Sequence, residues 1–384
     1  MFTETVWQDG KWEAREFCGQ GFVPDPLPPV SLDINGLLID LWPAIVEAER
    51  SLSRLEGTAR RLPNPHLLTG AFSHREAILS SAIENTFASA EQIVLLDLQP
   101  SAIADQDRDP VQEVSNYVRA LHHGLTTELP VCLRLIREMH AILLDKIERQ
   151  DVQPGQFRTA QNAIGTKGRP FPEARFVPPP PAFLDTCMAN LERYMNAQDT
   201  TTPRLVRFAL IHYQFEAIHP FADGNGRLGR LLVTLLTCRQ GQLTQPLVYL
   251  SGYFEKNRDS YYDHLYRIST EGTWRPWIEF FLQAVITQAA DAIDRADRLI
   301  DLQTQFHEKV RKKRASALLP RLVDHLFSSP AVTVAGVKRV LDCSTQTATN
   351  HVNRLVDAGI LTEVTGSSYG RVFVCPQIAK LINR

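Results

Sequence analysis

Between positions 219 and 230 the chain reads His219-Pro220-Phe221-Ala222-Asp223-Gly224-Asn225-Gly226-Arg227-Leu228-Gly229-Arg230. In that span one imidazole can accept a proton, one carboxylate can hold a metal, and two guanidinium groups carry permanent positive charge. Its glycines allow positive φ, so successive backbone N–H groups can converge where a following helix begins. A helix N-terminus adds its own partial positive charge. The combination suits a polyphosphate.

Two helices must hold such a corner. Leu205, Phe208, Ala209, His212 and Phe215 recur at helical spacing before it, and residues 231–238 are strongly apolar after it. The spacing therefore predicts helix, tight loop, helix. His212 lies on the apolar face and reads as a core histidine satisfied by a neighbour, not as a second base. Further upstream a helix is expected over about 36–55, with Leu38, Ile39, Trp42, Ile45 and Val46 as its inward stripe and Pro43 bending or restarting it. Another is expected over about 69–90, where Ser80 and Glu84, four residues apart, share one side. Residues 1–35 read as irregular, punctuated by Pro24, Pro26, Pro28 and Pro29.

The 384 residues are 44% apolar, enough for two or three domains with cores. No apolar run approaches the roughly 20 residues of a membrane-spanning helix, and the first fifteen residues do not read as a signal peptide. Cys18, Cys132, Cys187, Cys238, Cys343 and Cys375 form no C-x-x-C pair, so the expected location is a reducing cytoplasm. Net charge is −2 but unevenly shared: Lys309 to Arg384 holds 12 basic and 4 acidic residues, the remainder 29 and 39.

The twelve-residue stretch fills every specified position of H-x-F-x-[DE]-G-N-G-R-x-x-R, and here the chain resembles the Fic family. The resemblance covers about residues 20–300 and implies a mainly α fold: a Fic-type helical core with a small β-hairpin flap. It also implies transfer of AMP from ATP to a Ser, Thr or Tyr hydroxyl of a target protein. His219 would be the general base, Asp223 the ligand of Mg²⁺ (or Mn²⁺), and Gly224, Asn225, Gly226, Arg227, Leu228, Gly229 and Arg230 the phosphate site, with the Asn225 side chain contributing. Ser80 to Asn85 resemble the family's inhibitory motif [ST]-x-x-x-E-[GN], in which Glu84 would pair with Arg230 and misalign bound ATP. Residues 154–165, with Asn162, Ala163, Ile164 and Gly165, and the later Arg175-Phe176-Val177 would form the flap that holds target by strand addition. Tyr261 and Tyr262 match a tyrosine pair that flanks the nucleoside.

The basic tail reads as short helices, including one over 344–358, followed by a strand at Val372-Phe373-Val374. It resembles a winged helix-turn-helix domain. Gln346, Asn350 and Arg354, with Ser344, Thr347 and His351, would populate a recognition helix able to meet DNA, and 311–314 would add charge. The expected organisation is an N-terminal region with the inhibitory helix (1–100), catalytic core (101–300), linker helix (301–316) and winged helix (317–384), in a homodimer without membrane contact. Three alternatives stay open: the reverse reaction, removing AMP; another donor such as UTP or a phosphocholine carrier; and a transcription regulator with a Fic-like sensor domain.

Overall fold

A computed structural model of the chain describes residues 2–8, 11–17, 21–30, 32–61, 66–98, 100, 103–147, 152–165, 174–198, 201–311, 317–366 and 370–383. The start is not irregular, as expected, but two antiparallel strands, β1 (Phe2–Gln8) and β2 (Lys11–Phe17), with Thr5 opposite Ala14. Their Thr, Val, Trp and Phe content favours strand. Residues 21–30 then run as an extended arm. Phe22 donates its N–H to the Val177 carbonyl at 2.9 Å, and a Cβ at Gly21 would lie 1.9 Å from the Pro178 carbonyl oxygen, so only glycine fits there.

Helices follow: α1 (Ile34–Arg61), α2 (His66–Ile83), α3 (Ala90–Leu98), α4 (Asp105–Thr126), α5 (Leu133–Leu143), α6 (Pro181–Asn196), α7 (Arg204–Ile218), α8 (Asn225–Arg239), α9 (Ser251–Lys256), α10 (Arg258–Glu271) and α11 (Trp274–Val310). The chain is mainly α. In α1 the inward stripe is Leu37, Leu41, Ile45, Ala48, Leu52, Leu55 and Ala59, laid along α11. Of the expected stripe, Ile39 and Trp42 are instead 76% and 57% exposed. Two registers of apolar residues compete on this helix, and the one that continues furthest meets the long partner. Pro43 does not break α1. It leaves the Ile39 carbonyl without its helical donor, and both residues face solvent, where water can serve.

The two helices around the corner are central. Nearly every side chain of α7 is buried, as are Leu228, Leu231, Leu232, Leu235 and Leu236 of α8. A helix apolar on all sides belongs in a core. His212 is fully buried with its Nε2 at 2.9 Å from the Tyr261 hydroxyl, as expected of a core histidine.

After residue 311 come α12 (Leu318–Ser328), β3 (Ala331–Thr333), α13 (Val334–Leu341), α14 (Thr345–Asp357), β4 (Thr362–Glu363), β5 (Val372–Val374) and α15 (Pro376–Asn383). The three strands form one antiparallel sheet in the order β3-β5-β4. Thr333 and Ser344 cap α13 and α14 by accepting the N–H of Gly336 and Thr347. The expected linker is the end of α11 as far as Val310; of the basic cluster 311–314, only Arg311 lies within the described residues. The helices α12 and α15 pack on α2.

Candidate active site

The corner is built by left-handed backbone at both ends. His219 closes α7 at φ 48°, and Gly224 opens α8 at φ 79°. Between them Asn225 acts as a staple: its Oδ1 accepts the Phe221 N–H at 2.9 Å and its Nδ2 donates to the Phe221 carbonyl at 2.8 Å. The expected contact of this side chain with a phosphate is therefore corrected. It is 2% exposed and turned inward, because the tight turn needs its own backbone groups satisfied. Phe221 is fully buried and stacks on His140 with ring centroids 3.7 Å apart, anchoring the loop in the core.

His140 carries no motif or spacing signal in the sequence. Its Nδ1 lies 2.8 Å from the Gly155 N–H, which it can only accept, so Nε2 carries the proton given to the Asp223 carbonyl at 2.9 Å. Burial pushes its pKa down to about 3, so it stays neutral. The Asp223 carboxylate takes the Gly224 N–H at 2.7 Å and lies 3.8 Å from Arg227. Among the described residues no cluster of three or more His, Cys, Asp or Glu surrounds it. A single carboxylate beside an anion site suits magnesium arriving with phosphates, and not a protein-caged zinc or calcium.

His219 is half-buried with its ring Nδ1 3.3 Å from the Glu216 carbonyl. Burial holds its pKa down at about 4, against the raising charge of Glu84, so at neutral pH the ring is an uncharged proton acceptor. Glu216, three residues earlier, has an oxygen 2.2 Å from where a Gly229 Cβ would stand. Burial pushes its carboxyl up to about 8.

The end of α2 explains the sequence Ser80-Ser81-Ala82-Ile83-Glu84-Asn85. Thr86 N–H reaches the Ser81 carbonyl and Asn85 N–H the Ala82 carbonyl, both at 3.0 Å, so the helix expected to run to about 90 ends at Ile83, closed by Asn85 at φ 60°. Asparagine and glycine tolerate that conformation best. The closure projects Glu84 onto α8: a Cβ at Gly226 would lie 2.2 Å from its Oε1. Arg230 donates from Nη2 to Glu84 Oε1 and to the Ser80 carbonyl, and from Nε to the Ser80 Oγ, each at 2.8 Å. Its Nη1 has no partner among the described residues.

Burial alone would raise the Glu84 carboxyl, but the charge and hydrogen bond of Arg230 hold it below the usual range. A depressed carboxylate stabilises the fold above its unfolded value and loses that contribution as pH falls through the folded one. We therefore expect the Glu84–Arg230 pair to be intact at neutral pH and to weaken only below about pH 4.5. An acid titration of Glu84 followed by carboxyl NMR checks this; a midpoint above that value refutes it.

Other expected contacts are redirected. Arg227, expected at a phosphate, forms a buried ion pair with Glu113 of α4, both side chains under 5% exposed, and lies 3.8 Å from Asp223. Removing one partner of such a pair leaves a buried charge uncompensated, so Glu113→Ala is expected to cost about 3–5 kcal/mol of stability. A denaturant midpoint matching that of the native chain would contradict this. Leu228 points into the core, and Gly229 lies against Glu216 on the α7 side. Tyr261 is 1% exposed and stacked on Phe254 at 4.6 Å, a core ring and not a nucleoside platform. Its partner Tyr262 stays at the rim, reaching the Ile83 carbonyl at 3.4 Å.

Of the expected flap hairpin the described residues show an antiparallel bridge between Ile164 and Phe176, and 166–173 lie outside them. Asn162 donates to the Phe221 carbonyl at 3.3 Å, while Ala163 and Gly165 are exposed. On α14, Gln346 and Asn350 are exposed and 3.1 Å apart, with Arg354 half-buried one turn on. His351 is corrected to a core position, 4% exposed. Glu113, His140, Arg158 and Glu216 all touch the corner, and no spacing along the chain marks them. Three of these four lie more than 60 residues from it in sequence, and only Glu216 stood near enough to be noticed.

The sequence model described as "Fic/DOC family N-terminal" matches residues 42–126, and that of the "Fic/DOC family" matches residues 130–237. The chain belongs to the Fic/DOC family. It is similar to the protein adenylyltransferase Fic of Drosophila melanogaster, 26% identical over 292 residues, covering 71% of this chain and 56% of that one. The protein of the same name from Drosophila grimshawi is 28% identical over 218 residues, 55% and 40% of the two chains. The chain thus spans about half the length of the curated relatives it matches. In fold it is similar to a Fic family protein from Desulfovibrio desulfuricans G20 (TM-score 0.55, 21% identity, 87% and 96% covered). A Fic domain containing signaling protein from Bacteroides thetaiotaomicron VPI-5482 also matches (TM-score 0.52, 20% identity, 66% and 97% covered).

Proposed function

We propose that this protein transfers AMP from ATP to a Ser, Thr or Tyr hydroxyl of a target protein, releasing pyrophosphate, and that Glu84 restrains it. The observation that carries the reading is the Glu84 carboxylate itself. It lies over Gly226 at the N-terminus of α8 and on Arg230, so the corner already receives an anionic oxygen. A phosphate oxygen has the same needs. The names of the Drosophila relatives support the same activity.

In this reading His219 takes the proton from the incoming hydroxyl. The backbone N–H groups of 224–226 meet charge building on the α-phosphate, and Arg230 receives the terminal phosphate once Glu84 moves aside. Arg227 acts through Glu113 to fix α8. Asp223 would hold Mg²⁺ (or Mn²⁺), which when bound neutralises phosphate charge. The edge at Ile164–Phe176 is where target backbone would add. The C-terminal helices and three-stranded sheet are read as a winged helix, with Gln346, Asn350 and Arg354 turned to DNA, and the exposed Ile39 and Trp42 give a homodimer its apolar patch.

Donor profiling tests the proposal. The Glu84→Gly protein is incubated with ATP, UTP or a phosphocholine donor in the presence of magnesium, and adducts are weighed by intact mass spectrometry. An AMP adduct from ATP is expected; adducts only from another donor, or none, refute it.

A further inference from the structure

At the neck of the flap a single buried arginine, Arg158, reaches three main-chain carbonyls. Its Nε donates to His219 at 2.9 Å, its Nη1 to Ala160 at 3.2 Å, and its Nη2 to Pro179. Ala160 is on the strand of chain entering the flap and Pro179 on the one leaving it. The Arg158 N–H also donates to the Pro220 carbonyl at 2.9 Å. Three residues earlier, Gly155 gives its N–H to His140, whose other nitrogen holds the Asp223 carbonyl. Residues 155–158 therefore grip both sides of the loop between α7 and α8.

Among the described residues Arg158 hydrogen-bonds main-chain carbonyls and no carboxylate. Burial brings its pKa down to about 10, which still leaves it charged at neutral pH. An arginine this buried, 6% exposed, costs desolvation that a neutral side chain would avoid. Its planar fork is what allows one residue to bond three carbonyls in different directions.

We infer that Arg158 is a positioning residue that joins the flap to His219, so that a target chain seated on the flap edge also aligns the histidine that activates its hydroxyl. The inference rests on the transfer reaction proposed above, with His219 as base. The corner on the phosphate side is held by other groups: Asn225, the Glu113–Arg227 pair and Arg230. Loss of Arg158 should therefore disturb the hydroxyl side of the reaction and leave nucleotide binding in place. Misplacing a catalytic group by about 1 Å is enough to cost on the order of 100-fold in rate.

The test uses the full chain carrying Glu84→Gly, with Arg158→Ala or Arg158→Lys added. The expected result for Arg158→Ala is a fall in kcat of about 30- to 100-fold, with KM for ATP changed less than about twofold. Arg158→Lys, able to reach one carbonyl but not three, should fall between. Added guanidinium should recover at least about fivefold of the lost rate in Arg158→Ala. Unchanged kcat, or equal damage to ATP binding without guanidinium rescue, overturns the inference. If the Glu84→Gly parent transfers no AMP, the transfer reading fails by itself, and a second measurement still decides the clamp. The ring NMR signals of His219, assigned by their loss in His219→Ala, should shift or broaden in Arg158→Ala without nucleotide. An unmoved His219 spectrum overturns the inference whatever the activity.

Discussion

Replacing His219 by alanine is expected to lower ATP-dependent labelling of protein by about 10³-fold or more. A positioned general base contributes on the order of 10²–10⁴ in rate, and among the described residues near the corner none is free to take its place. His140 is neutral but committed on both nitrogens, Glu216 is pushed toward its protonated form, and Glu84 is engaged by Arg230. Burial keeps the His219 ring unprotonated at neutral pH, with its pKa near 4. The acid limb of kcat/KM, which reports the free enzyme, is accordingly expected near pH 4 and not near 6.5. Removing the Glu84 charge takes away a raising influence and should move that limb lower still. Incorporation of labelled AMP across pH 3–8 checks both parts. Labelling by His219→Ala within twofold of its parent would remove the base assignment.

The second large effect is release of the restraint. Glu84→Gly is expected to raise self-labelling by about 10- to 100-fold, the span of a charged hydrogen bond of roughly 1.5–3 kcal/mol when every 1.4 kcal/mol is tenfold. The change frees one donor of Arg230 and uncovers the N–H groups at Gly226 together. Position 84 is the last before the left-handed Asn85, so a glycine there disturbs the closure of α2 little. Glu84→Gln keeps a carbonyl for Arg230 but no charge, and should give an intermediate rate. The single measurement is the rate of AMP incorporation at saturating ATP for the three proteins side by side. Equal rates would make Glu84 an ordinary surface residue.

The placement of α12 and α15 on α2 brings the C-terminal unit against the helix that carries Ser80 and ends just before Glu84. Its apolar residues, including Leu322, Leu326, Phe327 and Ile378, belong to the same continuous core as those of α7 and α8. The division into separate units that composition and charge suggest is thus a division of surface more than of core. Charge is a property of exposed residues, while Leu326 and Ile378 carry none of it and are free to bury against the body.

What the amino-acid order determined by itself is the local chemistry of the corner. The left-handed backbone at Gly224, the carboxylate four residues after the histidine, and the Ser80–Glu84 spacing all lie within one or two turns. At that range residue type dictates backbone conformation directly, through steric limits on φ and through caps. The tertiary structure alone decided the rest. Arg227 found Glu113, Arg158 found the His219 and Pro179 carbonyls, Tyr261 turned into the core while Tyr262 stayed at the rim, and the inward stripe of α1 was chosen by α11. Each of these depends on partners tens to hundreds of residues away, selected by which apolar faces could be buried together, and spacing along the chain holds no record of that choice.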